Sequence, residues 1–228
     1  MKLVNNAGLV NYLKEDWVAD FLNTDKTHQS LTCGQWLQDS PPKRYIYSEL
    51  YKNLDSQYSG RVLDIGGGLT AFSVHYARHF QYELVDLMHH DDSKQVEQFK
   101  KLMPENAVNV KDWAEFIPKK NYDIIISNDL FPNVDQRLAD FIEKFMPVSR
   151  EIRLSLTFYN NNIYYKVKRL GRKEILFIRP WDARRLVEEL SPFKKYIKNV
   201  DFKLFEDLSP SVFANGRQIC LLTIRGNG

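Results

Sequence analysis

Cysteine is scarce: Cys33 and Cys220 are the only two in 228 residues, with no CxxC and no histidine pair beside either. This leaves no basis for a zinc ribbon or a disulfide framework, and both thiols read as reduced and structural. No apolar run approaches the roughly 20 residues a membrane span requires. Met1 to Asn6 offers no apolar segment of the kind a secretory signal uses, so a cytoplasmic protein is expected. A linker rich in Gly, Pro or Ser is also lacking, as is an internal repeat. Hydrophobic residues at 43% and charged residues at 27% are ordinary for a soluble globular chain. The net charge is only +3, yet between Arg150 and Lys198 thirteen Lys and Arg stand against five Asp and Glu. Such a skew is read either as a solvated basic surface or as a site for an anionic partner.

Leu9, Leu13, Trp17 and Phe21 recur every fourth residue, and after Pro41-Pro42 a second helical pattern runs through Tyr47, Leu50, Tyr51 and Leu54. The polar stretch 23–40 between them is expected to be a loop, and residues 1–58 to form a helical cap on the rest. From Arg61 onward apolar strands alternate with helical stripes, which predicts an α/β, doubly wound sheet. Strands are expected at 61–65, 82–86, 107–111, 123–127 and 151–157. One helical stripe runs through Val96, Phe99 and Met103; another runs through Leu138, Phe141, Ile142 and Phe145, with Asp135 as its N-cap. Residues 163–168 and 174–178 flank Leu170-Gly171-Arg172 and read as an inserted hairpin with a basic tip, about 162–180. Asp182 then opens a short helix carrying Leu186, Val187 and Leu190, and two last strands are expected near 200–205 and 217–224.

The sharpest local feature is Asp64-Ile65-Gly66-Gly67-Gly68, directly after the apolar pair Val62-Leu63. Glycines permit positive φ and let a ligand approach the main chain. Leu69, Phe72, Tyr76 and Ala77 then recur at helical spacing, so the segment reads as a strand, a bare turn and a helix. Three successive strands end in acids, Asp64, Asp86 and Asp112, and parallel strands deliver such tips into one crevice. Asp86 lies 22 residues beyond Asp64, the spacing of an acid that binds ribose hydroxyls, and Leu87 follows it. Asp112 is placed to meet an exocyclic amino group, with the Trp113 ring covering the base. Gly66, Gly68 and Ala71 also fit a dinucleotide fingerprint, which keeps a nucleotide oxidoreductase open as an alternative. Asp64 separates the two readings, because a carboxylate beside the turn repels a pyrophosphate and favours an ammonium.

Over about residues 60–160 these motifs resemble the class I S-adenosylmethionine-dependent methyltransferases. Asp64-Ile65-Gly66-Gly67-Gly68 is similar to the family's acidic, glycine-rich first motif, Asp86 to its ribose-binding acid and Asp112 to its adenine-binding one. Tyr122-Asp123-Ile124-Ile125-Ile126-Ser127-Asn128-Asp129-Leu130 resembles the fourth motif, which borders the site of methyl transfer. Thr70 stands where a third spaced glycine is common. The resemblance implies S-adenosylmethionine as cofactor, with Asp64, Gly66, Gly67, Gly68, Asp86, Leu87, Asp112, Trp113 and Asn128 around it. It also implies a Rossmann-like domain over 59–228, with a seven-stranded, mostly parallel sheet and an antiparallel C-terminal strand.

Asp129 is the candidate base or substrate-orienting group, a turn cap being the alternative. Arg44, in Lys43-Arg44-Tyr45, is placed to pair with the methionine carboxylate of the cofactor. His89 and His90 border the same region or are solvated. No metal is expected. Ser127-Asn128-Asp129-Leu130-Phe131 departs from the Asn-Pro-Pro-aromatic signature of amino-directed nucleic-acid methyltransferases. The hairpin residues Lys166, Lys168, Arg169, Arg172 and Lys173, with Tyr164, Tyr165 and Phe177, suit an anionic group or stacked bases. The expected function is methyl transfer to an oxygen of a small anionic or saccharide-like metabolite, with no membrane partner. An RNA methyltransferase and a non-catalytic cofactor-binding partner subunit are the alternatives.

Overall fold

Alternation along the first glycine-linked strand decides the layering: Val62 faces one side of the sheet, and Leu63 and Ile65 face the other. The computed structural model describes residues 1–24, 31–54, 58–160, 165–168, 175–178, 180–207 and 209–228. In chain order, β1 (Lys2–Leu3) is followed by α1 (Asn6–Tyr12), α2 (Trp17–Thr24), α3 (Thr32–Asp39) and α4 (Pro41–Leu50). Then come β2 (Arg61–Ile65), α5 (Ala71–His79), β3 (Gln81–Asp86), α6 (Ser93–Lys100), β4 (Val108–Val110) and β5 (Tyr122–Phe131). The chain continues through α7 (Leu138–Phe145), β6 (Ser149–Phe158), the pair β7 (Tyr165–Lys168) and β8 (Ile175–Ile178), α8 (Ala183–Leu190) and β9 (Gln218–Arg225).

The main sheet has seven strands in the order β1-β9-β6-β5-β2-β3-β4. Among the described residues its six strand pairings are four parallel ones, from β6 across to β4, and two antiparallel ones, in which β9 runs against β6 and β1. After β2 the chain moves outward through β3 and β4, then returns to the other flank with β5 and β6. The switch point therefore lies at the carboxyl end of β2. On one face Val62, Leu84, Ile124 and Ile126 pack with α4 and α5; on the other Leu63, Ile65, Ile125, Ile152 and Leu154 pack with α7 and α8. The α7 residues Leu138, Phe141, Ile142 and Phe145 are all fully buried.

Several expectations change. The stripe through Leu9, Leu13, Trp17 and Phe21 is split between α1 and α2, and Leu13 and Trp17 are exposed; Val18 and Leu22 are the buried positions. Within the stretch expected as a loop, residues 32–39 form α3, because Leu37 finds a buried site that its polar neighbours hide from the sequence pattern. The segment near 200–205 is a short 3-10 helix, Phe202–Glu206, opened by Asp201 accepting from the Lys203 amide. The seventh strand is supplied from the N-terminus by β1 instead. Asp135 does not cap α7; Arg137 occupies the N-cap position. The hairpin strands pair as expected, from Tyr165 opposite Ile178 to Lys168 opposite Ile175. Tyr164, Arg169, Arg172 and Lys173, and the side chains of Tyr165, Lys166, Lys168 and Phe177, lie outside the described residues.

The N-terminal helices are tied to the sheet by a buried cation. Arg153 on β6 donates from Nη1 to the carbonyls of Leu50 and Lys52, at 2.8 and 2.9 Å, and from Nε to Glu151 at 2.6 Å. Removing one partner from such a network leaves the others desolvated and unpaired. Arg153→Met is therefore expected to lower the unfolding free energy by about 3 kcal/mol, measured by urea denaturation at neutral pH.

Candidate functional site

The turn after β2 is shaped by glycine for two separate reasons. Gly66 and Gly68 have φ of +75° and +67°, a region that side-chain-bearing residues adopt at a cost. Gly67 has no room beneath it, since a Cβ would stand 2.3 Å from Asp64 Oδ1. The Gly66 amide donates to the Val85 carbonyl at 2.9 Å, fixing the turn to β3. Thr70 explains the departure from a third glycine: it is the N-cap of α5, in a reciprocal capping box with Ser73.

Asp64 lies beneath this turn and is not among the residues that line the cleft. It is 2% exposed, and its Oδ2 accepts from the hydroxyls of Tyr51 at 2.6 Å and Tyr82 at 2.7 Å. Its Oδ1 has no hydrogen-bond partner among the described residues. Burial pushes the carboxyl up to about 6, against the pull of the two tyrosines and with the help of the Asp86 charge.

A cavity of about 540 Å³ runs along the carboxyl edge of the sheet, within the usual size of small-molecule sites. Strand order arranges its lining: Arg217 before β9, Asn128 and Asp129 on β5, Gly66 and Gly67 after β2, Asp86 on β3, and Asp112 beyond β4. The sheet thus brings together Gly66, Gly67, Asp86, Leu87, Asp112, Trp113, Asn128 and Asp129, with Trp36, Leu37 and Cys33 of α3 and Lys43 of α4. Gly68 stands behind, its amide on Asp86. His89 and His90 also line the cavity, and the His90 ring meets Trp36 edge-on at 4.9 Å.

Asp86 receives the Met88 amide on Oδ1 at 2.6 Å and the Gly68 amide on Oδ2 at 3.1 Å. Each oxygen keeps acceptor capacity for a further donor. Burial raises its carboxyl above the ordinary value, opposed by those amides and His90. Asp112 accepts from the Ala114 amide at 2.7 Å and from Arg137 Nη2 at 2.9 and 3.2 Å. Trp113 is more deeply set than the sequence suggests. It is 6% exposed among Phe131 and Phe141, with the Arg137 guanidinium 4.7 Å over its ring.

At the other end, Asp129 has φ of +56° where the β5–β6 register shifts between Ser127 and Phe131. Ser155 holds this kink by accepting from the Asp129 amide and donating to Asn128 Oδ1, each at 2.8 Å. Arg217 Nη1 contacts both Asp129 oxygens at 3.0 and 3.1 Å, and Lys43 Nζ approaches to 3.4 Å. Burial alone raises the Asp129 carboxyl, but the two cations outweigh it and hold it below the ordinary range. That depresses its basicity.

Arg44 is not brought into the cleft. Its Nε pairs with Asp16 at 2.8 Å and its Nη1 donates to the Leu37 and Gln38 carbonyls, joining α4 to the end of α3. Adjacent helical residues point in different directions, and it is Lys43 that enters, its Nζ 4.6 Å over the Trp36 ring. Arg217 and Arg137 carry no signal in the sequence, because their partners are distant or belong to an unremarkable Asp-x-Arg. Among the described residues no group of three or more His, Cys, Asp or Glu is arranged for a metal, and no helix is long and apolar enough to cross a membrane.

No family model matches the chain, and neither does any curated protein sequence. Solved structures do. The plantazolicin methyltransferase BpumL, in complex with a triazolic desmethylPZN analog and S-adenosylhomocysteine, is 12% identical; the match covers 97% of this chain and 100% of that one, with a TM-score of 0.53. DhpI in complex with S-adenosylmethionine and HEP is 10% identical over 96% of this chain and 99% of that one, also at 0.53. A Listeria monocytogenes chain assigned as an S-adenosylmethionine-dependent methyltransferase is 13% identical, over 80% of this chain and 98% of that one, at 0.51. The topology, the switch point and these likenesses agree: this chain has the fold of the class I S-adenosylmethionine-dependent methyltransferases.

Proposed function

We propose that this protein binds S-adenosylmethionine along the cleft and methylates an oxygen of a small anionic or saccharide-like metabolite. The observation that carries this reading is the alignment of Gly66, Asp86, Asp112 and Asp129 on successive strand ends around one cavity. In it, Asp86 accepts from the ribose hydroxyls, Asp112 meets the adenine amino group, and Leu87 and Trp113 border the base. Gly66 and Gly67 leave the main chain open to the amino-acid portion, whose carboxylate falls to Lys43 in place of Arg44. Asp64 acts from below, by shaping the turn.

The bound cofactor supplies an electrophilic methyl on a sulfonium whose departure needs no acid. What remains for the chain is to align the acceptor, a contribution that reaches about 7–11 kcal/mol. Asn128 and Asp129 stand where the acceptor would lie, and the kink locked by Ser155 fixes their direction. Held below the ordinary range, Asp129 orients the acceptor rather than taking its proton; a carboxylate oxygen needs no base, and a hydroxyl would release its proton to solvent. With Lys43 given to the cofactor carboxylate, Arg217 beside Asp129 is a cation that faces the acceptor, and it is the group that would meet an anionic one. BpumL and DhpI, each crystallised with a small molecule beside the cofactor or its product, lend support to a small acceptor.

Isothermal calorimetry tests the cofactor. S-adenosylhomocysteine is expected to bind at least about tenfold, or 1.4 kcal/mol, more tightly than NADH. The reverse order would overturn the reading in favour of an oxidoreductase. Methyl transfer is then followed as product release with a panel of hydroxylated carboxylates and sugars; tight cofactor binding with no transfer to any acceptor would point to a non-catalytic subunit.

A further inference from the structure

Arg137 sits at the β4 end of the cleft, in a network with Asp112, Trp113 and Asp135, and the cofactor assignment gives it no role. Its Nε lies 3.0 and 3.2 Å from the two oxygens of Asp135, and its Nη2 lies 2.5 Å from Asp135 and 2.9 Å from Asp112. Asp135 is itself fixed, accepting from Trp113 Nε1 at 2.8 Å and from the Arg137 amide at 2.8 Å. The guanidinium stacks 4.7 Å over Trp113. A long side chain half in solvent is thus immobilised from three directions, and one of its carboxylate partners, Asp112, also lines the cavity. Leu87 and Val134, both exposed apolar side chains, line the same cavity and suit the faces of a flat base.

Asp112 is an acceptor, whereas Arg137 carries only donors, and its Nη1 makes none of the contacts above. An adenine presents a donor and an acceptor side by side, the N6 amino group and N1. Hypoxanthine presents the inverse pair, an O6 acceptor and an N1–H donor. We propose that Asp112 and Arg137 together read the hydrogen-bonding edge of the purine, making Arg137 a specificity-determining residue for an adenosyl ligand over an inosyl one. This rests on the cofactor reading above. A site built to hydrogen-bond a ligand rejects an analogue that inverts the pattern, because polar groups covered by the ligand are then left facing their own kind.

The test is the ratio of dissociation constants for S-adenosylhomocysteine and S-inosylhomocysteine, measured by calorimetry. The unmodified protein is expected to favour the adenosyl ligand by about 100-fold, as two edge contacts would give. Arg137→Met, which keeps an unbranched apolar stem but removes the guanidinium donors, is expected to bring that ratio below about tenfold. Arg137→Lys keeps the charge but not the planar fork, and the same loss is expected. If Arg137→Met weakens both ligands equally and leaves the ratio intact, Arg137 merely braces the site and the proposal is overturned. If the unmodified protein binds both ligands equally, the edge is not read. Failure to bind either overturns the cofactor reading, and this one with it.

Discussion

Asp64→Ala is expected to lower the unfolding free energy by about 3–4 kcal/mol below pH 4, through two orphaned tyrosine hydroxyls and a small cavity. The cost should shrink as pH rises. In the folded protein the Asp64 carboxyl is raised from 3.8 to about 6, so between those values the folded state binds a proton that the unfolded state has lost. Stability from this group is therefore fully present below about pH 4 and is lost as pH climbs through 6. Two pKa units are worth about 3 kcal/mol. Asp64→Asn isolates the effect, since the amide oxygen still accepts from Tyr51 and Tyr82 while no charge can form. The difference in stability between the unmodified protein and Asp64→Asn, followed by chemical denaturation, should fall by about 3 kcal/mol from pH 4 to pH 7.5. A difference independent of pH would show that Asp64 has an ordinary carboxyl despite its burial.

The same residue marks how far the sequence could be read. Val62 to Gly68 announced a strand and a turn because alternation and glycine chemistry act within a few residues. The acids Asp86 and Asp112 followed from strand ends, which parallel pairing places side by side. What sequence could not convey is which way a side chain turns once packed. The glycine motif alone places Asp64 in the cleft, but it stands on the tyrosine face, opposite Leu63 and Ile65, and belongs to the layer beneath. Arg44 and Lys43 are one helical step apart, and that step sends one to Asp16 and the other to the cavity. Arg217 reaches Asp129 across 88 positions, a contact created only by the antiparallel placement of β9. The stretch 32–39 looked too polar for a helix, yet one buried leucine and the Thr32 contacts to Asp91 and His90 hold it over the cleft.

Asp86→Ala is expected to weaken S-adenosylhomocysteine binding by about 3 kcal/mol, or roughly 150-fold, because it removes a charged acceptor from the two ribose hydroxyls. Truncation also strips the Gly68 and Met88 amides of their acceptor, so part of the loss would come from a loosened glycine turn. Asp86→Asn separates the two. It keeps one acceptor oxygen but offers N–H groups to a donor amide, and its binding loss should fall between zero and that of the alanine variant. Protonation supplies a third route to the same state. Burial raises the Asp86 carboxyl, so acidification neutralises it sooner than an exposed aspartate, and affinity for the adenosyl ligand should decline as pH falls. In Asp86→Asn that decline should be absent, because nothing is left there to titrate. Calorimetry of the three proteins across a pH series reads all of this at once. An alanine variant that binds the ligand as tightly as the unmodified protein would remove the ribose from Asp86. The order of the nucleoside along the cleft would then have to be drawn again from Asp112.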